Sequence, residues 1–137
     1  RNLKIITTMK LEDMCLTLEQ ARELKELGVD FSNSIYEFVE TYDEYEDCNE
    51  VIICEREYVT IEREILPTLT VNEMLEMLPS KIKIGEYYYY LRIERGDVFW
   101  CVTYYNHEIS NIYLSRTGLL RNVLFETIEE LTERKLI

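Results

Sequence analysis

The sequence predicts an α+β fold: an antiparallel sheet built from hairpins, with about three helices, in the order α-β-β-α-β-β-α. Three observations predict it. Two segments open with the same helix-capping chemistry and a third carries an amphipathic stripe. The stretches between them are rich in Val, Ile, Tyr and Thr, the residues that suit a pleated surface. Two of those stretches flank Arg95-Gly96-Asp97, a hairpin turn signal.

The first helix is predicted over Leu18 to Leu27. Thr17 is its N-cap, and Gln20 three residues on completes a capping box that satisfies two orphan backbone donors reciprocally. Leu16 staples onto Ala21, Leu24 and Leu27 extend one apolar face, and Gly28 provides a left-handed C-terminal cap. Strand-like segments follow at Ile35 to Tyr42, Val51 to Cys54 and Tyr58 to Ile61, with the polar stretch Asp43 to Glu50 as a hairpin loop. A two-turn helix is predicted within Leu69 to Pro79, where Thr70 caps, Glu73 closes the box and Pro79 stops the run. The main hairpin pairs Tyr87 to Glu94 with Val98 to Tyr105, and Ile112 to Leu114 adds a short strand. In the last helix Leu120, Val123, Leu124, Ile128 and Leu131 recur at three- and four-residue steps. Ser115 or Thr117 is its candidate cap, and Lys135 suits the negative end of its macrodipole. The two capped helices share a Leu-Thr-x-x-Gln/Glu opening, which raises a degenerate αββ duplication as one origin of the layout.

The 137 residues are the size of one domain, and 47% apolar content supports a real core, so a single domain over residues 1–137 is expected. Residues 1–8 read as a loosely packed N-terminal extension. Their apolar part is too short for a signal peptide, and no run reaches the ~18–20 apolar residues of a membrane-crossing helix. The four cysteines, Cys15, Cys48, Cys54 and Cys101, form no Cys-x-x-Cys pair. Reduced thiols and a cytoplasmic location are expected, with no membrane association.

The net charge of −12 is uneven: residues 33–66 carry two bases and eleven acids. Such a surface repels nucleic acid and anionic lipid, so direct nucleic-acid binding is disfavoured. Glu40, Asp43, Glu44, Glu46, Asp47 and Glu50 form a candidate acidic patch, either a solvated loop or an imitation of a phosphate backbone. The run Asp43 to Asp47 lacks the ligand spacing and central Gly of a calcium loop. His107 is the sole histidine and has no nucleophile signature beside it; Cys101 and Ser110 are the nearest nominations. With no Gly-rich phosphate loop and no Cys/His cluster, no catalytic, cofactor or metal residues are assigned and no cofactor is expected. Arg95-Gly96-Asp97 spells an adhesion tripeptide, but here the Gly is explained by the turn.

Tyr87-Tyr88-Tyr89-Tyr90 gives the candidate binding surface. In a strand, Tyr88 and Tyr90 share a face with Arg92 and Glu94, while Tyr87 and Tyr89 share the other with Leu91 and Ile93. Exposed tyrosines with an arginine are typical of protein-binding surfaces. Trp100 and Tyr104 are the candidate neighbours across the hairpin.

Leu16 to Ser32, Pro67 to Pro79, Tyr88 to Asn106 and Leu124 to Ile137 together resemble uncharacterised small proteins of bacterial prophages and mobile elements, especially from gut bacteria. The resemblance implies a cytoplasmic accessory protein and transfers no catalytic residue. Three functions are therefore expected to compete: a non-enzymatic module that binds another protein, an acidic decoy that mimics nucleic acid to inhibit a DNA- or RNA-binding enzyme, and a small carboxylate-dependent hydrolase.

Overall fold

A computed structural model describes residues 10–56 and 63–137 of the chain. The fold is α+β, with two antiparallel sheets and, among the described residues, four helices. The chain divides into two compact units between Thr70 and Val71.

The first unit contains α1 (Leu11–Met14), α2 (Leu18–Glu26), β1 (Tyr36–Asp43), β2 (Cys48–Glu55) and β3 (Arg63–Thr68). The capping box forms as predicted: Gln20 N donates to Thr17 Oγ1 at 3.2 Å, and Thr17 N donates to Gln20 Oε1 at 3.0 Å. At the other end Gly28 adopts φ +90°. Val29 N reaches back to Leu24 O and Gly28 N to Lys25 O, both at 3.0 Å, which is the paired closure of a Schellman motif. Leu16, Ala21 and Leu24 are fully buried, whereas Leu27 is 37% exposed. The buried face therefore ends one turn earlier than the leucine spacing predicts.

The β strands of this unit lie in the order β2-β1-β3. A continuous register from Tyr36↔Glu55 to Asp43↔Cys48 joins β1 to β2, so the hairpin loop is only Glu44 to Asp47. Asp43 Oδ1 accepts from Tyr45 N at 2.9 Å and Glu46 N at 3.3 Å, and Asp47 takes φ +50° to complete the turn. Local acids thus build the loop, and the strands extend into what the composition suggests is a longer polar connection. Thr68 Oγ1 donates to Leu16 O, and Leu16 N to Leu69 O, tying the lead-in of α2 to the end of β3. The strand predicted over Tyr58 to Ile61 lies outside the described residues, as does the extension predicted over residues 1–8.

The second unit contains α3 (Val71–Met77), β4 (Lys81–Ile84), β5 (Tyr87–Arg95), β6 (Trp100–Asn106), β7 (Asn111–Gly118) and α4 (Leu120–Glu133). Its strands form a meander in the order β4-β5-β6-β7, each antiparallel to the next. The full element order, α-α-β-β-β-α-β-β-β-β-α, is richer than the predicted order. One addition is β4, whose Lys-Ile-Lys-Ile alternation is followed by a two-residue turn with Gly85 first at φ +63°, a geometry matched to strand twist. α4 packs on α3, β6 and β7 through Val123, Leu124, Ile128 and Leu131. Neither Ser115 nor Thr117 caps it: both pair within β7, which runs to Gly118, and Leu119 takes the N-cap position without a side-chain bond.

The C-terminus of α4 closes as α2 does. Leu136 N bonds Leu131 O and Lys135 N bonds Thr132 O, but the left-handed position is Lys135, at φ +59°. A side chain there costs about 1 kcal/mol, part of which glycine returns as unfolded-chain entropy. Lys135→Gly is expected to raise stability by about 0.5 kcal/mol, measured as an upward shift of the urea midpoint.

Candidate interaction face

The face is decided by register between β5 and β6. A three-residue loop at Arg95-Gly96-Asp97 would pair even-numbered residues of β5 with even-numbered residues of β6, setting Tyr88 opposite Tyr104. The observed pairs are Arg95↔Trp100 through Tyr90↔Tyr105, so the loop is Gly96 to Phe99. Gly96 N donates to Phe99 O at 2.8 Å, and a Cβ at Gly96 would lie 3.0 Å from that same oxygen. Gly96 is thus required for close approach rather than for a left-handed backbone. A shift in pairing of odd size exchanges the two faces of one strand relative to its neighbour.

Two of the five predicted face residues consequently lie elsewhere. Tyr104 is 0% exposed on the opposite face, where its hydroxyl donates to Pro79 O at 2.8 Å. Burial pushes its phenol pKa well above the ordinary value. Trp100 is half-buried on that same opposite face, between Arg95 and Gly118. Tyr89 is buried there too; its ring stands 5.6 Å from that of Tyr113, and its hydroxyl accepts from Asn111 Nδ2. Arg134 donates to the Tyr113 hydroxyl at 2.6 Å, and this bond raises the guanidinium pKa.

Tyr88, Tyr90 and Arg92 do share the outer face, as predicted. Tyr88 is 42% and Tyr90 47% exposed. Their cross-strand neighbours are Lys83 and Lys81 on β4, and Tyr90 faces Tyr105 on β6. Lys81 Nζ lies 4.7 Å and Lys83 Nζ 5.8 Å from the Tyr88 ring centre, and the Arg92 guanidinium lies 4.8 Å from that of Tyr105. His107 meets Tyr105 edge-on at 5.1 Å. The cations rest on aromatic faces, an attraction of about 0.5–1 kcal/mol each at exposed sites, which holds side chains that would otherwise be mobile. Sequence reasoning missed Lys81, Lys83 and Tyr105. The alternation of Lys81 to Ile84 could have revealed the two lysines; Tyr105 depended on the register.

The outer face continues to Cys101, whose thiol lies 3.3 Å from Thr103 Oγ1 and 3.7 Å from Ser115 Oγ. Hydrogen bonding by Thr103 first, then Thr117, lowers its pKa. None of the four cysteines, all within the described residues, is joined in a disulfide.

The candidate acidic residues come together at the β1–β2 hairpin but divide between its faces. Asp43 and Glu50 share one side, because Glu50 opposes Thr41; Glu40 opposes Val51 on the other side. Asp43 is engaged by the turn, and Asp47 accepts from the Tyr42 hydroxyl. Glu44, Glu46 and Glu50 are exposed, and Glu40 is half-buried. Among the described residues, no three His, Cys, Asp or Glu side chains converge as metal ligands.

A polar cleft of about 470 Å³ in the second unit is lined by Glu126, Glu129, Glu130, Glu133, Arg116 and Arg134. There Glu130 uses one carboxylate oxygen for Arg116 and the other for Arg134, so this group joins α4 to the edge of β7. No helix of the described residues is long and apolar enough to cross a membrane.

Fold and site define the class: an α+β protein with two small antiparallel sheets, one of which presents an aromatic surface overlaid with cations. No protein-family model matches the chain, no curated protein matches it, and no solved structure matches it.

Proposed function

We propose that this chain is a non-enzymatic binding module that engages another protein through the outer face of β4, β5 and β6. The observation that carries this reading is the pair of exposed tyrosines, Tyr88 and Tyr90, flanked by Lys81, Lys83 and Arg92. Tyr and Arg are the residues most enriched where truncation costs binding energy, because each combines large contact area with directional polar groups. A sheet face also presents them on rigid backbone, which lowers the entropy lost on docking. Three cations against Glu94 make the face locally positive on a chain of net charge −12, favouring a partner whose contact surface is acidic. The resemblance to prophage and mobile-element proteins makes the reading more specific: an accessory protein acting on a host or phage protein in the cytoplasm.

The test is affinity capture from host lysate, washed at low and high salt, with the recovered protein then titrated in purified form. Alanine at both Tyr88 and Tyr90 is expected to weaken the purified interaction at least ~30-fold, about 2 kcal/mol, while leaving the far-UV spectrum unchanged. Undiminished binding by that variant would remove the face from the interaction. Loss of the partner at high salt alone would assign the affinity chiefly to Lys81, Lys83 and Arg92.

A further inference from the structure

The chain carries charge of opposite sign on two separate surfaces. Residues 33–55 hold eight acids and no base. At the turn between β1 and β2, Asp43 accepts from the Tyr45 and Glu46 amides and Asp47 from the Tyr42 hydroxyl, so these two carboxylates are taken up by the turn itself. Glu44 and Glu46 remain exposed on either side of Tyr45, which is 98% exposed. The tip is therefore an aromatic ring between two carboxylates, held on a tight turn between paired strands. The outer face of β4 and β5 has the reverse composition. Lys81 and Lys83 are exposed there beside Tyr90 and Tyr88, with both ammoniums over the Tyr88 ring. Each surface offers aromatic area, and each supplies the charge that the other lacks.

We infer that the Glu44-Tyr45-Glu46 tip of one copy of this chain docks on the Lys81, Lys83, Tyr88 and Tyr90 face of a second copy. The inference rests on the reading of that face as a binding surface, and it names an occupant for it. Tyr45 lies against the exposed tyrosines, ring to ring in offset or edge-on contact. Glu44 and Glu46 pair with the two ammoniums around it. All four charged groups are exposed before docking and stay at the rim of the ring contact, so pairing them costs little desolvation and orients the tip. The hydrogen bonds of the turn already hold the tip in one shape, which reduces the order it must gain on binding. The carboxylates of α4 offer no such match, because they share their cleft with Arg116 and Arg134 and Glu130 is bonded to both. The net charge of −12 opposes the approach of two copies, but at about 0.15 M salt its field decays over roughly 8 Å, so the local match decides.

Sedimentation equilibrium of the full chain, under reducing conditions at about 0.15 M salt, tests the docking. The expected result is an average mass that rises above the monomer with concentration and falls back at about 1 M salt. Charge reversal on the tip, Glu44→Lys with Glu46→Lys, and on the face, Lys81→Glu with Lys83→Glu, should each leave a monomer with the far-UV spectrum of the parent. An equimolar mixture of the two variants should associate again, because reversed tip then meets reversed face and unaltered tip meets unaltered face. Only contact between copies has that property. Tyr45→Ala, at a position almost wholly in solvent, should weaken the association about ten-fold. A parent chain that stays monomeric to several hundred micromolar would overturn the proposal. So would an association indifferent to either reversal, or a mixture of the variants that stays monomeric. The outcomes also separate this proposal from the binding-module reading. A chain that stays monomeric yet loses its lysate partner on Tyr88→Ala with Tyr90→Ala refutes self-docking alone, whereas association and capture both indifferent to those alanines refute the face itself.

Discussion

Tyr104→Ala is expected to destabilise the protein by about 4 kcal/mol, the cost of deleting a large aromatic ring from a site with no exposure. Tyr104 lies in the middle of β6, with Leu91 and Leu114 as its partners on either side. Removing the ring forfeits its apolar burial and leaves a cavity that regular strand backbone cannot close. It also leaves the Pro79 carbonyl without the hydroxyl it accepts from, at the point where the chain turns from α3 into β4. Tyr104→Phe separates the two contributions. It keeps the ring, loses the hydrogen bond, and is expected to cost about 1 kcal/mol. Urea denaturation followed by circular dichroism measures both, and the alanine variant should lower the midpoint by about 2 M. A loss below ~1 kcal/mol for Tyr104→Ala would mean that the ring is not held as described.

Leu24→Ala is expected to cost about 3 kcal/mol, for a related reason in the first unit. Leu24 is fully buried where α2 packs on β3, and its carbonyl also receives the Val29 amide that closes the helix. The backbone bond survives the substitution, so the loss reports packing alone. Leu27, three residues on in the same apolar spacing, provides the contrast. It is the C-cap and lies partly in solvent, so Leu27→Ala should cost less than about 1 kcal/mol. Similar losses at the two positions, read from the same denaturation experiment, would show that the helix is seated differently.

These two leucines mark where local reasoning ends. Thr17, Gln20 and Gly28 state their roles within a window of a few residues, because a cap is a bond between near neighbours. The α2 boundaries were accordingly legible, as were the stripe of α4, the stop at Pro79 and the α+β class. Which leucine is covered depends on where β3 lies, and no local pattern carries that information. The acidic hairpin behaved similarly. Its loop residues announced a turn, but Asp43 and Asp47 build the turn itself, and strand parity sends Glu40 and Glu50 to opposite sides.

The binding face divides along the same line. Within one strand, alternation alone separates Tyr88, Tyr90 and Arg92 from Tyr89, since successive side chains must point to opposite sides. That much followed from residue order. The identity of their neighbours turned on whether the hairpin loop holds three residues or four, a choice made by the Gly96–Phe99 closure and by the burial of Tyr104 under pressure from the whole core. One choice places Tyr104 beside Tyr88; the other buries it and sets Tyr105 beside Tyr90. Capping and alternation act over two to five residues and are written in the chain. Register and edge exposure arise from contacts between residues far apart in sequence, and only the folded arrangement decides them.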